Sequence, residues 1–115
     1  MNDAEHRLQV AFVRYFRYQY PKAVIYAIPN GGARNVIVAS KLKAEGVLSG
    51  VPDLHVPVAR GGYHSLYIEL KNGKKGRLSE NQKAMIATLE GLGHKCIVGR
   101  TFDELKEEVD KYMAE

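Results

Sequence analysis

Two segments in the middle of the chain alternate strictly between apolar and polar residues. Their apolar members all carry even numbers: Leu54, Val56, Val58, Leu66, Ile68 and Leu70. A period of two predicts strands at about 53–59 and 64–71, each with one face buried. The intervening sequence Arg60-Gly61-Gly62-Tyr63 predicts that the two strands form an antiparallel hairpin.

The alternation also restricts how the two strands pair. Directly paired residues point to the same face of a sheet, and a slip of one residue moves every side chain to the other face. The paired positions must therefore sum to an even number, and a sum near 122 places Asp53 opposite Glu69. A plain two-residue Gly61-Gly62 turn would give 123, so the sequence predicts a three- or five-residue loop or a β-bulge.

Helical and strand patterns surround the hairpin on both sides. Amphipathic periodicity and capping signals predict helices at about 3–20, 35–45, 79–92 and 101–113, and strands at about 23–28 and 94–99. The predicted order is α-β-α-β-β-α-β-α. This order is typical of an α/β fold with a mixed β-sheet flanked by helices.

Composition excludes several classes of protein. A chain of 115 residues is expected to form a single domain, residues 1–115. No stretch has the length of a membrane span or the pattern of a signal peptide, so we expect a cytoplasmic location and no membrane partner. The single Cys96 excludes an internal disulfide and a cysteine-based zinc site. A net charge of +4 suits a polyanionic partner without proving one.

The polar face of the hairpin has the residue types that phosphodiester hydrolysis needs. Mg²⁺ prefers oxygen ligands and keeps several waters, so Asp53, Glu69 and the backbone carbonyl of Leu70 would suffice as its protein ligands. Lys71 shares a strand face with Glu69 and could orient the attacking water, lower its pKa or stabilise the transition state. Taken alone, Glu69-Leu70-Lys71 also fits a solvated strand face or a cross-strand ion pair.

At this point the chain resembles a known group. Pro52-Asp53 followed by Glu69-Leu70-Lys71 is similar to the motif of the PD-(D/E)xK nuclease superfamily. Three further segments resemble the VRR-NUC family within it: Asn30-Gly31-Gly32-Ala33-Arg34, residues 43–54, and Gly76-Arg77-Leu78-Ser79-Glu80-Asn81-Gln82.

The resemblance implies a restriction-endonuclease-like core and a nuclease that uses Mg²⁺ or Mn²⁺ and no small-molecule cofactor. VRR-NUC domains occur in DNA repair nucleases and in small stand-alone proteins, often viral. The short members are similar to homodimeric Holliday-junction resolvases. We therefore expect a structure-selective DNA endonuclease that acts on branched DNA as a homodimer.

Two further residues match family positions near the active site. Glu5 shares a helix face with Leu8 and Phe12 and matches the family's acidic residue on the first helix, where it would add a metal ligand. A carboxylate in a first helical turn is also favoured by the helix dipole alone. Gln82 matches the family's active-site glutamine, and its spacing from Ser79 also predicts a capping box.

A third group of residues is a candidate for DNA binding. Asn30, Gly31, Gly32 and Arg34 would offer a phosphate backbone N–H groups and a positive charge at a helix N-terminus, although a plain turn explains the glycines equally well. Lys74, Lys75 and Arg77 follow the candidate catalytic strand and would contact the DNA backbone, unless they form an ordinary solvated loop.

Other interpretations remain open. A restriction-type, sequence-specific endonuclease would share the chemistry, but little chain remains for a recognition element. A non-catalytic nucleic-acid-binding dimer or a small interaction module would not need Asp53, Glu69 and Lys71 together. The histidines His6, His55, His64 and His94 lack metal-ligand spacing, and we expect structural or surface roles for them.

Overall fold

Four helices and four strands follow one another in residues 3–29, 36–73 and 75–115, the parts of the chain that the computed structural model describes. The helices are α1 (Asp3–Gln19), α2 (Val36–Ala44), α3 (Glu80–Gly91) and α4 (Phe102–Ala114). The strands are β1 (Tyr26–Ala27), β2 (Leu54–Val56), β3 (Leu66–Leu70) and β4 (Lys95–Gly99). The predicted order of elements is confirmed, although the strands are shorter than predicted.

The strands form one sheet in the order β1-β2-β3-β4. The pairs β1–β2 and β2–β3 are antiparallel, whereas β3–β4 is parallel. Parallel neighbours in sequence require a crossover, which α3 supplies between β3 and β4. The predicted mixed sheet with flanking helices is therefore confirmed.

The hairpin between β2 and β3 contains both a tight turn and a bulge. Leu54 pairs with Ile68, so paired positions sum to 122, as predicted. The turn itself is formed by Gly61–Gly62, both with positive φ, between the paired residues Arg60 and Tyr63. That pair sums to 123, so three residues of the first segment lie opposite two of the second. The extra residue is a bulge that restores the register which brings the carboxylates together.

One face of the sheet packs on α1 and α4. The buried side chains of this core are Phe12, Phe16, Leu105, Val109 and Tyr112 of the two helices, the even-numbered Leu54, Val56, Leu66, Ile68 and Leu70 of β2 and β3, and Ile25 and Ile97. The apolar alternation that predicted the strands therefore corresponds to the buried face.

The other face of the sheet is partly covered by α3. This helix contacts β4, and among the described residues those that form or contact the core do not include any from α3. Burial raises the pKa of the Cys96 thiol to about 11, and the neighbouring Glu90 of α3 also raises it. The thiol is thus protonated and unreactive near neutral pH. Helix α2 is exposed along its length except at Leu42, which is half-buried.

Candidate active site

Asp53 and Glu69 lie side by side on the sheet face opposite the core. The pairing of Leu54 with Ile68, continued by one residue, sets Asp53 against Glu69. Asp53 is 8% exposed and Glu69 is 2% exposed. Oδ2 of Asp53 accepts a hydrogen bond from the backbone N–H of Leu70 at 2.7 Å, which fixes that carboxylate at the end of the β2–β3 ladder.

Lys71 and Gln82 surround one oxygen of Glu69. Nζ of Lys71 lies 3.9 Å from Oε2 of Glu69, and Nε2 of Gln82 donates to the same oxygen at 3.4 Å. The backbone N–H of Lys71 donates to the carbonyl of Gly99 at 3.0 Å, so β4 holds the strand end that carries the lysine.

The other oxygen of Glu69 has a different environment. Oε1 is buried, and no described residue donates a hydrogen bond to it. A buried polar atom without a partner costs about 1–3 kcal/mol, and such atoms are rare in folded proteins. A ligand from outside the chain is the ordinary explanation for a carboxylate oxygen in this position.

The same environment makes Glu69 difficult to ionise. Burial is the largest effect that raises the pKa of Glu69, to about 9, and the adjacent Asp53 carboxylate raises it in addition. Lys71 lowers the pKa, but its effect is smaller than that of burial and Asp53. Two buried carboxylates close together form a site that a cation would stabilise.

Gln82 is positioned by the N-terminus of α3. The Ser79 hydroxyl accepts from the Gln82 backbone N–H at 3.1 Å, and Oε1 of Gln82 accepts from the Ser79 backbone N–H at 2.8 Å. The predicted capping box is therefore present. It also fixes the Gln82 side-chain amide so that its N–H group points towards Glu69. One residue thus caps the helix and contacts the site.

The N-terminal half of α1 contributes further polar side chains to the site. Oε1 of Glu5 accepts a hydrogen bond from the backbone N–H of Asn72 at 3.2 Å, just beyond the end of β3. Gln9 follows one turn later on the same face of the helix, and its Oε1 is a second buried oxygen to which no described residue donates. Gln9 was not predicted as a site residue, because polar residues such as glutamine are common in amphipathic helices.

These residues line a cavity of about 590 Å³. Its polar wall includes Glu5, Gln9, Asp53, Glu69, Leu70, Lys71, Ser79 and Gln82. The other lining residues are mostly apolar and include Ile28, Ala39, Leu42, Val47 and Leu48, together with Lys43 of α2. The structure therefore brings together all the residues predicted to act in catalysis or metal binding, from α1, β2, β3 and α3.

The donor set fits a hard divalent cation held by few protein ligands. Within the described ranges, no group of three or more His, Cys, Asp and Glu side chains is arranged to hold a metal ion. Mg²⁺ needs only one or two carboxylates, with carbonyl groups and waters completing its shell. Asp53, Glu69 with its unpartnered Oε1, and the Leu70 carbonyl satisfy that requirement.

The predicted DNA-binding residues are only partly described. Asn30, Gly31, Gly32, Arg34 and Lys74 lie outside the described residues. Lys75 and Arg77 are exposed and do not line the cavity. The loop that carries them is anchored by Arg100, whose guanidinium donates to the carbonyls of Gly73 and Gly76. Arg100 follows β4, and its contact with the loop after β3 could not be predicted from the sequence.

Two of the histidines form a hydrogen-bonded chain away from the cavity. The Ser65 hydroxyl lies 2.9 Å from Nε2 of His55 and 2.6 Å from Nδ1 of His94. The Tyr26 hydroxyl lies 2.6 Å from Nδ1 of His55, whose ring stacks on Tyr67. Burial lowers the pKa of His55, and His94 lowers it further. These contacts agree with the structural roles that were expected.

Comparisons with known proteins agree with this geometry. A family model of the VRR-NUC domain matches residues 3–102. A solved structure described as a VRR_NUC domain protein superposes with a TM-score of 0.84 and 27% sequence identity, over 99% of this chain and 91% of that chain. The curated proteins contain no match.

The match with the solved VRR_NUC structure supports the restriction-endonuclease-like fold, and the family is one of nucleases, for which DNA is the substrate. No helix in the described part of the chain is long and apolar enough to cross a membrane. With a family model matching most of its length, the chain belongs to the VRR-NUC family.

Proposed function

We propose that this protein is a metal-dependent DNA endonuclease whose active site is the cavity around Asp53, Glu69 and Lys71. The observation that carries the proposal is the buried Glu69 carboxylate: one oxygen contacts Lys71 and Gln82, and the other is unpartnered among the described residues beside Asp53. Buried carboxylate oxygens without a donor are rare in folded proteins, and a bound ion is one of the explanations for them.

Each residue has a distinct role in this proposal. Asp53, Glu69 and the Leu70 carbonyl would hold Mg²⁺ or Mn²⁺, which when bound activates water and neutralises charge on the phosphate. Lys71 places an ammonium group beside Glu69, where it attracts the scissile phosphate and stabilises the negative transition state. Gln82 donates to Oε2 of Glu69 and so helps to fix the orientation of this carboxylate.

Glu5 belongs to the site in a more peripheral role. Its carboxylate accepts the Asn72 N–H, which ties the start of α1 to the chain that follows Lys71. We propose that Glu5 adds negative charge to the cation site. Lys75 and Arg77 would contact the DNA backbone outside the cavity, in keeping with their exposure.

We further propose that the enzyme acts on branched DNA as a homodimer. This part rests on the similarity of short VRR-NUC proteins to junction resolvases. Two sites in one dimer would cut two strands of a four-way junction, which a monomer with one site would do only in separate encounters. The net charge of +4 is compatible with a branched, highly charged substrate.

The test of the proposed function compares DNA structures and metals. Labelled four-way junctions, flaps, linear duplexes and single strands are incubated with the protein in Mg²⁺, Mn²⁺ or EDTA, and the products are mapped. Paired cuts on junctions support a junction-resolving enzyme. Metal-dependent cutting without a preference for one DNA structure would support the proposed nuclease chemistry and would contradict the junction selectivity. Cutting at one sequence in duplex DNA points instead to a restriction-type enzyme.

The homodimer has its own test. Size-exclusion chromatography with light scattering gives the mass in solution, for which we expect twice the 12.8 kDa of one chain. Mixed dimers of wild type and Lys71→Ala should make single cuts where wild-type dimers make paired cuts. Monomeric protein that still makes paired cuts would contradict the dimer.

A further inference from the structure

Gln9 is a polar residue on the inward face of α1. Glu5, Gln9, Phe12 and Phe16 follow one another at intervals of three or four residues, so they form one stripe along the helix. Phe12 and Phe16 are fully buried in the core, whereas the first two members face the cavity. An apolar residue at position 9 would extend the apolar part of this stripe and would need no hydrogen-bond partner.

The two unpartnered acceptors of the described residues belong to this one cavity. In residues 3–29, 36–73 and 75–115, the buried side-chain polar atoms without a hydrogen-bond partner are Oε1 of Gln9 and Oε1 of Glu69. Their residues lie on different elements, α1 and β3, and meet only at the cavity. Both atoms are oxygens, so a ligand that satisfies them brings a positive charge or hydrogen-bond donors.

A hydrated divalent cation is one ligand that would suit both a carboxylate oxygen and an amide oxygen. A cation of the Mg²⁺ type binds a carboxylate directly and retains several waters, whose O–H groups point outward as donors. A neutral amide oxygen is well suited to accept from such a water. Groups that contact the waters or ligands of a metal, and not the metal itself, affect its affinity strongly.

We propose that Gln9 is a positioning residue: its side-chain oxygen accepts a hydrogen bond from a water in the hydration shell of the divalent cation that Asp53 and Glu69 hold. This inference rests on the proposed metal-dependent activity and extends the site to a residue on α1. Gln9 thereby orients the hydrated cation from α1, without being a metal ligand.

The test uses two substitutions at this position and one matched control. Gln9→Met keeps the length and removes the acceptor, and Gln9→Glu keeps an acceptor. Gln19→Met makes the same chemical change at an exposed position of the same helix. Thermal unfolding is measured in EDTA and at increasing Mg²⁺ or Mn²⁺, and DNA cleavage is measured over the same metal concentrations.

In EDTA, Gln9→Met should be at least as stable as wild type, because it removes a buried atom without a partner. Its stabilisation by metal should be smaller, and the Mg²⁺ concentration for half-maximal cleavage should rise about 10-fold. Gln9→Glu should respond to metal at least as strongly as wild type. Gln19→Met should match wild type in every measurement.

Three results would overturn the inference. An unchanged metal response in Gln9→Met would mean that the amide holds ordinary cavity water. Equal loss of the metal response in Gln9→Met and Gln9→Glu would mean that the amide N–H group is the important one. A wild-type protein that neither binds metal nor cuts DNA would overturn the proposed function as well, whereas the first two results leave it intact.

Discussion

The carboxyl group of Glu69 is held away from solvent, and its ionisation is therefore costly when no cation is present. Burial and Asp53 together raise its pKa to about 9, despite the nearby Lys71. A group whose pKa is higher in the folded than in the unfolded protein stabilises the fold fully only when the pH is below the pKa that the group has in the unfolded protein. For Glu69 this contribution is lost as the pH rises from 4.5 towards 9.

Glu69→Gln should therefore differ from wild type in its stability in EDTA. At pH 8 the variant should be at least as stable as wild type, because the amide cannot ionise in the buried site. Wild type should lose stability relative to the variant between pH 5 and pH 9. Saturating Mg²⁺ should stabilise wild type and leave the variant unchanged. Thermal unfolding across this pH range measures both effects, and a variant that is less stable than wild type at pH 8 in EDTA would contradict the account.

The individual residues of the site were predictable to different degrees. Asp53, Glu69 and Lys71 could be placed on one face because strand alternation fixes the direction of every side chain. Gln82 could be predicted because its capping box has a sequence signature. Gln9 could not, since its unusual feature is the absence of a hydrogen-bond partner in the folded protein, and Arg100 could not because its partners are carbonyls of a distant loop.

At the scale of secondary-structure elements, the active site depends on the packing of β4 between β3 and α4. Gly99, at the end of β4, is buried, and its carbonyl accepts the N–H of Lys71. A Cβ atom at this position would overlap the side chain of Leu105, which is itself fully buried and cannot move into solvent. Glycine is thus required here by close packing.

Gly99→Ala should lower the free energy of unfolding by about 1–3 kcal/mol, the range for overpacked cores. Gly91→Ala is the matched control, because no heavy atom lies within 4 Å of a Cβ placed there at the end of α3. This second variant should be neutral or gain up to about 1 kcal/mol from its higher helix propensity. Urea denaturation distinguishes the two. Equal effects of both substitutions would show that packing against Leu105 is not the cause.

The hairpin shows what sequence could and could not predict about the elements. Alternation alone required an even register, and the observed pairing has the predicted sum of 122. The sequence predicted either a longer loop or a bulge for this register, and the structure has a tight Gly61–Gly62 turn with a bulge. Apolar periodicity restricts the register of the strands but not the backbone conformation of the turn, so it could not distinguish a longer loop from a bulge. For the same reason the lengths of the strands were overestimated.

On the scale of the whole molecule, the first and last helices are joined by one carboxylate. The hydroxyls of Tyr15 and Tyr20 donate to Asp110 at 2.7–2.8 Å, and Nζ of Lys106 lies 3.1 Å away. Burial alone would raise the pKa of Asp110, but the hydrogen bonds and the ammonium group outweigh it and lower the pKa. These contacts hold α1, and with it Glu5 and Gln9, against the rest of the fold.

Asp110→Ala should reduce the free energy of unfolding by about 2 kcal/mol at pH 7, as expected for hydrogen bonds to a charged group. The wild-type advantage should shrink in acid, because the depressed pKa of Asp110 means that its contribution begins to be lost as the pH falls below about 4. Glu107→Ala, on an exposed site of the same helix, is the control. Urea titrations at pH 7 and pH 3 test this. A wild-type advantage over Asp110→Ala that is as large at pH 3 as at pH 7 would contradict it.

The central claim is that Lys71 and the two buried carboxylates make a metal-dependent DNA-cutting site. The most direct measurement is cleavage of a labelled four-way junction by wild type and Lys71→Ala, in Mg²⁺ and in EDTA, with binding measured in parallel. We expect wild type to cut only with metal, and Lys71→Ala to bind the DNA while cutting at least about 100-fold more slowly, as for the loss of a group that stabilises the transition state. Cutting by Lys71→Ala at the wild-type rate, or cutting by wild type in EDTA, would contradict the account.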